Sequence, residues 1–154
     1  MKKSAETKMY LLPPQLFLVC CIGMLMLRIY YPVIIWLSLP YNLIGLMLIG
    51  LGLILSIWGS RTFSKNQTNI HTFKEPDKLI VEGLYKYSRN PMYLGFLVSL
   101  AGIFILLGAV SPILLLFTFL IIVNRWYIKS EEKNMTAKFG RDYLQYKDST
   151  RRWI

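Results

Sequence analysis

Four runs of nearly uninterrupted apolar residues decide what this chain can become. A helix that crosses the hydrocarbon core of a bilayer needs about 20 apolar residues, with a lower limit near 17. Residues 11–27, 41–58, 92–107 and 112–127 each approach that length. Backbone polar groups in lipid must be satisfied within their own segment, so runs of this kind fold as helices. Composition agrees, because 55% of the 154 residues are hydrophobic and only 17% are charged. That leaves too little polar surface to cover a soluble core. The expected fold is a single all-α integral membrane domain: four transmembrane helices, a cytoplasmic loop and an amphipathic C-terminal tail. Residues 1–60 hold the first two spans, and residues 61–154 hold the other two with the loop and the tail.

Local signals refine this layout. Lysines ahead of the first run imitate a signal peptide, but no small-x-small cleavage site follows, so the run is read as a retained span. Pro13 and Pro14 suit its opening turn. Gly45 and Gly52 lie seven apart on one face of the second span, which predicts close approach of a neighbouring helix. Gly108 to Pro112 forms a tight turn that makes the last two spans an antiparallel hairpin. Residues 29–39 are apolar but broken by Pro32 and closed by Pro40, so they either extend the first helix or lie at the interface. Cys20 and Cys21 are adjacent and have no partner elsewhere, so no disulfide framework is implied.

Charge sets the topology. Of 18 Lys and Arg residues, 17 lie in the N-terminal segment, the central loop or the region from the end of the fourth span onward; Arg28 is the exception. The positive-inside rule places those three regions in the cytoplasm, in what is expected to be a bacterial inner (plasma) membrane. The net charge of +10 flanks the spans instead of forming a separate domain. Anionic lipid headgroups are the expected partner, and nucleic acid is not.

Any chemistry must come from the loop and the tail. Pro91 suits the first turn of the third helix, and Asn90 before it is a candidate N-cap. A helix N-terminus there attracts a carboxylate or another polar group. Glu131 and Glu132 are the chain's only adjacent acids, one turn beyond the fourth span. Carboxylates so near lipid need partners, and surface pairing with Lys129 and Lys133 is the plainer account. In the tail, Met135, Phe139, Tyr143 and Tyr146 share one helical face. That pattern predicts an amphipathic segment on the membrane, with a break at Gly140 and Trp153 in the headgroup belt. No metal-ligating cluster is evident.

The order of these pieces carries a resemblance. Leu79-Ile80, Gly83-x-Tyr85, Arg89-Asn90-Pro91-x-Tyr93-x-Gly95, a helical hairpin, Glu131-Glu132 and Phe139-Gly140-x-x-Tyr143-x-x-Tyr146 together resemble the isoprenylcysteine carboxyl methyltransferases and related phospholipid methyltransferases. The likeness covers roughly residues 61–154. It implies an enzyme that moves a methyl group from S-adenosyl-L-methionine to a lipophilic acceptor, such as the carboxylate of a prenylcysteine-like lipid. It also implies cofactor contacts at the backbone of Leu79 and Ile80, at Tyr85 and Tyr93, at the helix start around Asn90 and Pro91, and at Glu131 with Glu132. Arg89 either pairs with an acid or faces headgroups.

Departures from the pattern bear on the acceptor. Asn90 stands where eukaryotic members have histidine. The arginine that meets the substrate carboxylate in the protein methyltransferases falls near Tyr127, and Arg125 is offset from it by two residues as a catalytic candidate. If the acceptor is an amine, a base is needed, and His71 or a tyrosine is the candidate. Two other readings stand beside this one. Membrane reductases related to sterol reductases use NADPH and share part of the pattern, but many have an acid where Phe96 follows Gly95. A non-catalytic membrane scaffold is the other.

Overall fold

The structure is a computed structural model that describes residues 11–65 and 78–154. Those residues are helical with no strand, as an integral membrane chain requires. Helix α1 is Pro13–Tyr30, with both prolines in its first turn, where a missing N–H leaves no bond unmade. Helix α2 is Ile44–Lys65, entered through a 3₁₀ turn at Tyr41–Leu43. Helix α3 is Pro91–Leu107 and α4 is Ile113–Ile122. The fourth helix then runs on through a π-helical stretch, Val123–Ile128, into α5, Lys129–Phe139. Gly140, at φ +51°, breaks it where the sequence suggested, and α6 is Arg141–Ser149.

Three helical segments, Pro13–Tyr30, Tyr41–Lys65 and Ile113–Phe139, are long and apolar enough to cross a membrane. The fourth, α3, has 17 residues, roughly 25 Å at about 1.5 Å per residue. Its far end is finished by side chains from neighbouring elements. Arg28 Nε donates to the Leu107 carbonyl and Asn42 Nδ2 to the Leu106 carbonyl, each at 2.8 Å. Arg28 and Asn42 therefore each satisfy one carbonyl that the end of α3 leaves open.

Residues 31–40 do not extend α1, which ends at Tyr30. They form an irregular segment that pairs with the α3–α4 turn. Trp36 N–H donates to Gly108 O at 2.9 Å and Val110 N–H to Ile34 O at 3.0 Å, around an isolated antiparallel bridge between Ile35 and Ala109. Trp36 also stacks on Phe104 at 5.5 Å. The segment thus covers the end of the bundle remote from the candidate residues.

Helix α3 is the centre of the molecule. On one side its Tyr93 and Leu100 join Leu16, Cys20 and Met24 of α1, Phe119 of α4 and the buried π-stretch residues in one apolar core. The α3–α4 hairpin is present, closed at Gly108 in the left-handed region at φ +61°. On its other side α3 lies against α2, and this contact is backbone to backbone. Gly52 faces Gly95 and Gly45 faces Gly102. A Cβ on Gly95 would stand 2.6 Å from Ser56 N, and one on Gly102 would stand 2.7 Å from Ile49 N, closer than real Cβ atoms come. The shared face of Gly45 and Gly52 exists for this approach. Lipid offers little hydrophobic drive between helices, so close packing has to supply the attraction. Leu46, Met47, Leu51 and Ile54 of α2 are exposed, as a lipid-facing surface requires.

Replacing Gly95 with leucine should force α2 and α3 apart and cost about 1–3 kcal/mol or more. Gly50 is the internal control, because a Cβ there meets nothing within 4 Å. Thermal unfolding in detergent should show a large loss for Gly95→Leu and little change for Gly50→Ala. Equal effects would mean that α2 and α3 do not pack through these glycines.

Candidate active site

The loop that enters α3 is pinned by the far end of the chain. Pro91 is the first helical residue and Asn90 occupies the cap position, but the Asn90 side chain makes no cap hydrogen bond. Its amide Nδ2 donates instead to the Arg152 carbonyl at 3.0 Å. Asn90 N–H donates to Ser88 Oγ at 3.1 Å, and the Ser88 hydroxyl donates to the same Arg152 carbonyl at 3.4 Å. Arg89 N–H donates to Arg151 O at 3.0 Å. Residues 88–90 are therefore latched through main-chain and side-chain donors to the carbonyls of residues 151–152.

One turn into α3, Tyr93 is buried and donates to Glu131 Oε1 at 2.7 Å. That bond brings the start of α3 against the start of α5. Glu132, beside it, does not rest on Lys129 or Lys133. It takes Arg152 through two nitrogens, Nη2 to Oε2 at 2.8 Å and Nε to Oε1 at 3.1 Å. Arg89 Nη2 approaches Oε1 at 3.4 Å and Lys147 Nζ approaches Oε2 at 4.0 Å. The choice that sequence left open for Arg89 falls to the acid. The side chains of Arg89 and Glu132 are only 9% and 12% exposed, so the ions are partnered where solvent screens them least.

Tyrosines close the rest. The 3₁₀ turn Gly83–Lys86 buries Tyr85, whose ring meets Phe63 edge-on at 5.3 Å. Tyr146 donates its hydroxyl to Tyr85 O at 2.7 Å. Tyr143 and Tyr146, on the apolar face of the tail, are buried against the protein. Trp153, half-buried, packs beside the core. Burial pushes the Tyr85 hydroxyl far above its ordinary value of 10.0, and Glu131 and then Tyr146 add to the shift. Burial also raises Tyr143, opposed in part by Arg89, and raises Tyr146. These phenols are hydrogen-bond donors at any physiological pH. None of the three is a base.

The structure thus gathers Tyr85, Arg89, Asn90, Pro91, Tyr93, Glu131 and Glu132 at one end of the bundle. Ile80 is buried and Leu79 half-buried just ahead of the Tyr85 turn. Arg125 is on the exposed side of the π-helical stretch, whose inward side chains are Val123, Tyr127 and Ile128. It is not among the gathered residues. Tyr127 is buried with its hydroxyl on Leu11 O. His71 lies outside the described residues. Sequence reasoning missed Ser88 and Arg152, and no local signal marks either.

Comparison with known proteins points the same way. The family model described as phospholipid methyltransferase matches residues 41–142. Protein-S-isoprenylcysteine O-methyltransferase B of Arabidopsis thaliana is 34% identical over 108 residues, 66% of this chain and 53% of that protein. Protein-S-isoprenylcysteine O-methyltransferase of Saccharomyces cerevisiae is 34% identical over 83 residues, 51% of this chain and 34% of that protein. An uncharacterized protein of Haemophilus influenzae is 35% identical over 63 residues, 41% of this chain and all of its own length. The matches thus span about half of the plant methyltransferase and a third of the yeast one.

An alkaline titration checks the buried phenols. The folded pKa of Tyr85 lies above the unfolded one, so its contribution to stability is complete below about pH 10 and is lost as pH rises beyond it. Absorbance of the folded protein should show no phenolate step from Tyr85 up to about pH 11, so Tyr85→Phe should leave that part of the curve unchanged. A step near pH 10 that vanishes in Tyr85→Phe would contradict the burial.

Proposed function

The chain belongs to the phospholipid methyltransferase family, and on that footing we propose that it transfers a methyl group from S-adenosylmethionine to a lipophilic acceptor at the membrane boundary. The observation that carries this reading is the Tyr93–Glu131 hydrogen bond of 2.7 Å, beside the Arg89–Glu132 pair at 3.4 Å. Together they gather polar and charged side chains between the start of α3 and the start of α5, where a purely structural bundle would have apolar packing.

The residues present suit that cofactor. Arg89 Nε and Nη1 are buried with no hydrogen-bond partner among the described residues, and orphaned guanidinium donors of this kind are complementary to a carboxylate. The Glu131 carboxylate suits an ammonium or a ribose hydroxyl, and the backbone at Leu79 and Ile80 suits an adenine edge. When bound, the cofactor supplies an electrophilic methyl group on a sulfonium. The protein's part is orientation and exclusion of water, which methyl transfer needs more than acid–base machinery. A carboxylate acceptor suits the site because its methylation needs no base. The prenylcysteine named for the plant and yeast relatives is an acceptor of that class.

The site end of the bundle is placed in the cytoplasm by the positive-inside rule. There a cleft of about 450 Å³, lined by Trp58, Arg61, Thr62, Lys65, Glu82 and Gly83, offers cations and an aromatic ring at headgroup depth. Anionic lipids suit that lining.

Ligand-dependent unfolding tests the reading. S-adenosylhomocysteine at about 100 times its Kd should stabilise the purified protein by about 2.7 kcal/mol, and Glu131→Gln should remove the shift. Stabilisation by NADPH with none by S-adenosylhomocysteine would replace this reading with a reductase. No response to either would leave no cofactor enzyme at all.

A further inference from the structure

Arg152 lies outside the residue pattern that carries the resemblance, yet it makes the best-formed ion pair at the site. It presents two nitrogens to Glu132, at 2.8 and 3.1 Å. Arg89 reaches the same carboxylate through Nη2 alone, at 3.4 Å. Parallel fork-to-fork pairing engages both carboxylate oxygens and is the strongest form of this contact. Arg152 occupies it. Arg89 is therefore left with Nε and Nη1 buried and unbonded among the described residues, on a side chain that is nine-tenths buried. Two such donors are costly to leave unmade, and each of them can donate to an oxyanion.

The backbone fixes where Arg152 stands. Its carbonyl receives Asn90 Nδ2 and the Ser88 hydroxyl, and the Arg151 carbonyl receives Arg89 N–H. The residues that flank Arg89 are thus the ones that hold Arg152. Both guanidinium groups are set against Glu132 from a single latch.

We propose that Arg152 is a positioning residue: by clamping Glu132 it keeps the Arg89 Nε and Nη1 donors open to an oxyanion of a bound ligand, the carboxylate of the cofactor or of the acceptor. This rests on the methyltransferase reading. Without Arg152, Glu132 is free to turn onto Arg89 and form the bidentate pair itself. The ligand carboxylate must then compete with a tethered one.

Three proteins test it: the full-length wild type, R152Q and R152Q/E132Q. Calorimetric affinity for S-adenosylhomocysteine reports on the cofactor carboxylate. KM for a farnesylcysteine with a free carboxylate, at saturating S-adenosylmethionine, reports on the acceptor. R152Q should weaken one of the two by about tenfold, with a smaller change in kcat. Adding E132Q removes the competing charge and should recover most of the loss, whereas a merely structural role would make the double variant worse. R152K keeps a cation but not the fork and should show the same loss in milder form, which preserves the test if R152Q does not fold. The responding arm identifies the source of the oxyanion. Both arms unchanged in R152Q, or a double variant no better than R152Q, would overturn the proposal. A wild type that binds no S-adenosylhomocysteine would remove the methyltransferase reading and this inference with it.

Discussion

Glu132 sits between the guanidinium groups of Arg89 and Arg152 at the edge of an apolar bundle, and its charge holds three separate parts of the chain in one place. Arg89 comes from the loop before α3, Glu132 from α5 and Arg152 from the end of the tail. Removing one partner of such a partly buried ion cluster leaves an uncompensated charge, which costs more than the pair itself is worth. The cluster is thus better understood as a device of placement than of stability. With it in place, Tyr93 and Glu131 meet one residue away.

Helix α3 is held from several sides. On one flank α3 is held by the glycine contacts with α2, where backbones touch and no side chain can shift between them. On the other flank it shares the apolar core with α1 and α4. Arg28 and Asn42 satisfy its carbonyls at the far end. The π-helical stretch Val123–Ile128 belongs to the same scheme. Its wider turn lets both Tyr127 and Ile128 point inward immediately before the helix delivers the two glutamates.

Much of the fold was legible because a bilayer makes strict demands. Continuous apolar runs, Pro91 at a helix start, Gly108 at a turn and Gly140 at a break each follow from a local rule. The paired faces of Gly45 and Gly52 were readable for the same reason. The tail was harder, since Tyr143 and Tyr146 recur at helical spacing whether that face meets lipid or protein. The tertiary structure buries both tyrosines against the protein. Arg152 was invisible, because it lies 20 residues from Glu132 and 62 from Asn90, with no periodicity to join them. Asn90 looked like a helix cap, but its amide holds the tail instead. The site motif could be found by residue order, whereas its long-range supports could not.

The decisive question is whether the starts of α3 and α5 act on one and the same ligand. A double-mutant cycle with Tyr93→Phe, Glu131→Gln and the pair, read as affinity for S-adenosylhomocysteine in detergent, addresses it directly. Two groups bonded to each other at a common site should be non-additive by about 1 kcal/mol or more. Losses that add to within about 0.3 kcal/mol, or affinity that neither change affects, would contradict a site shared between them.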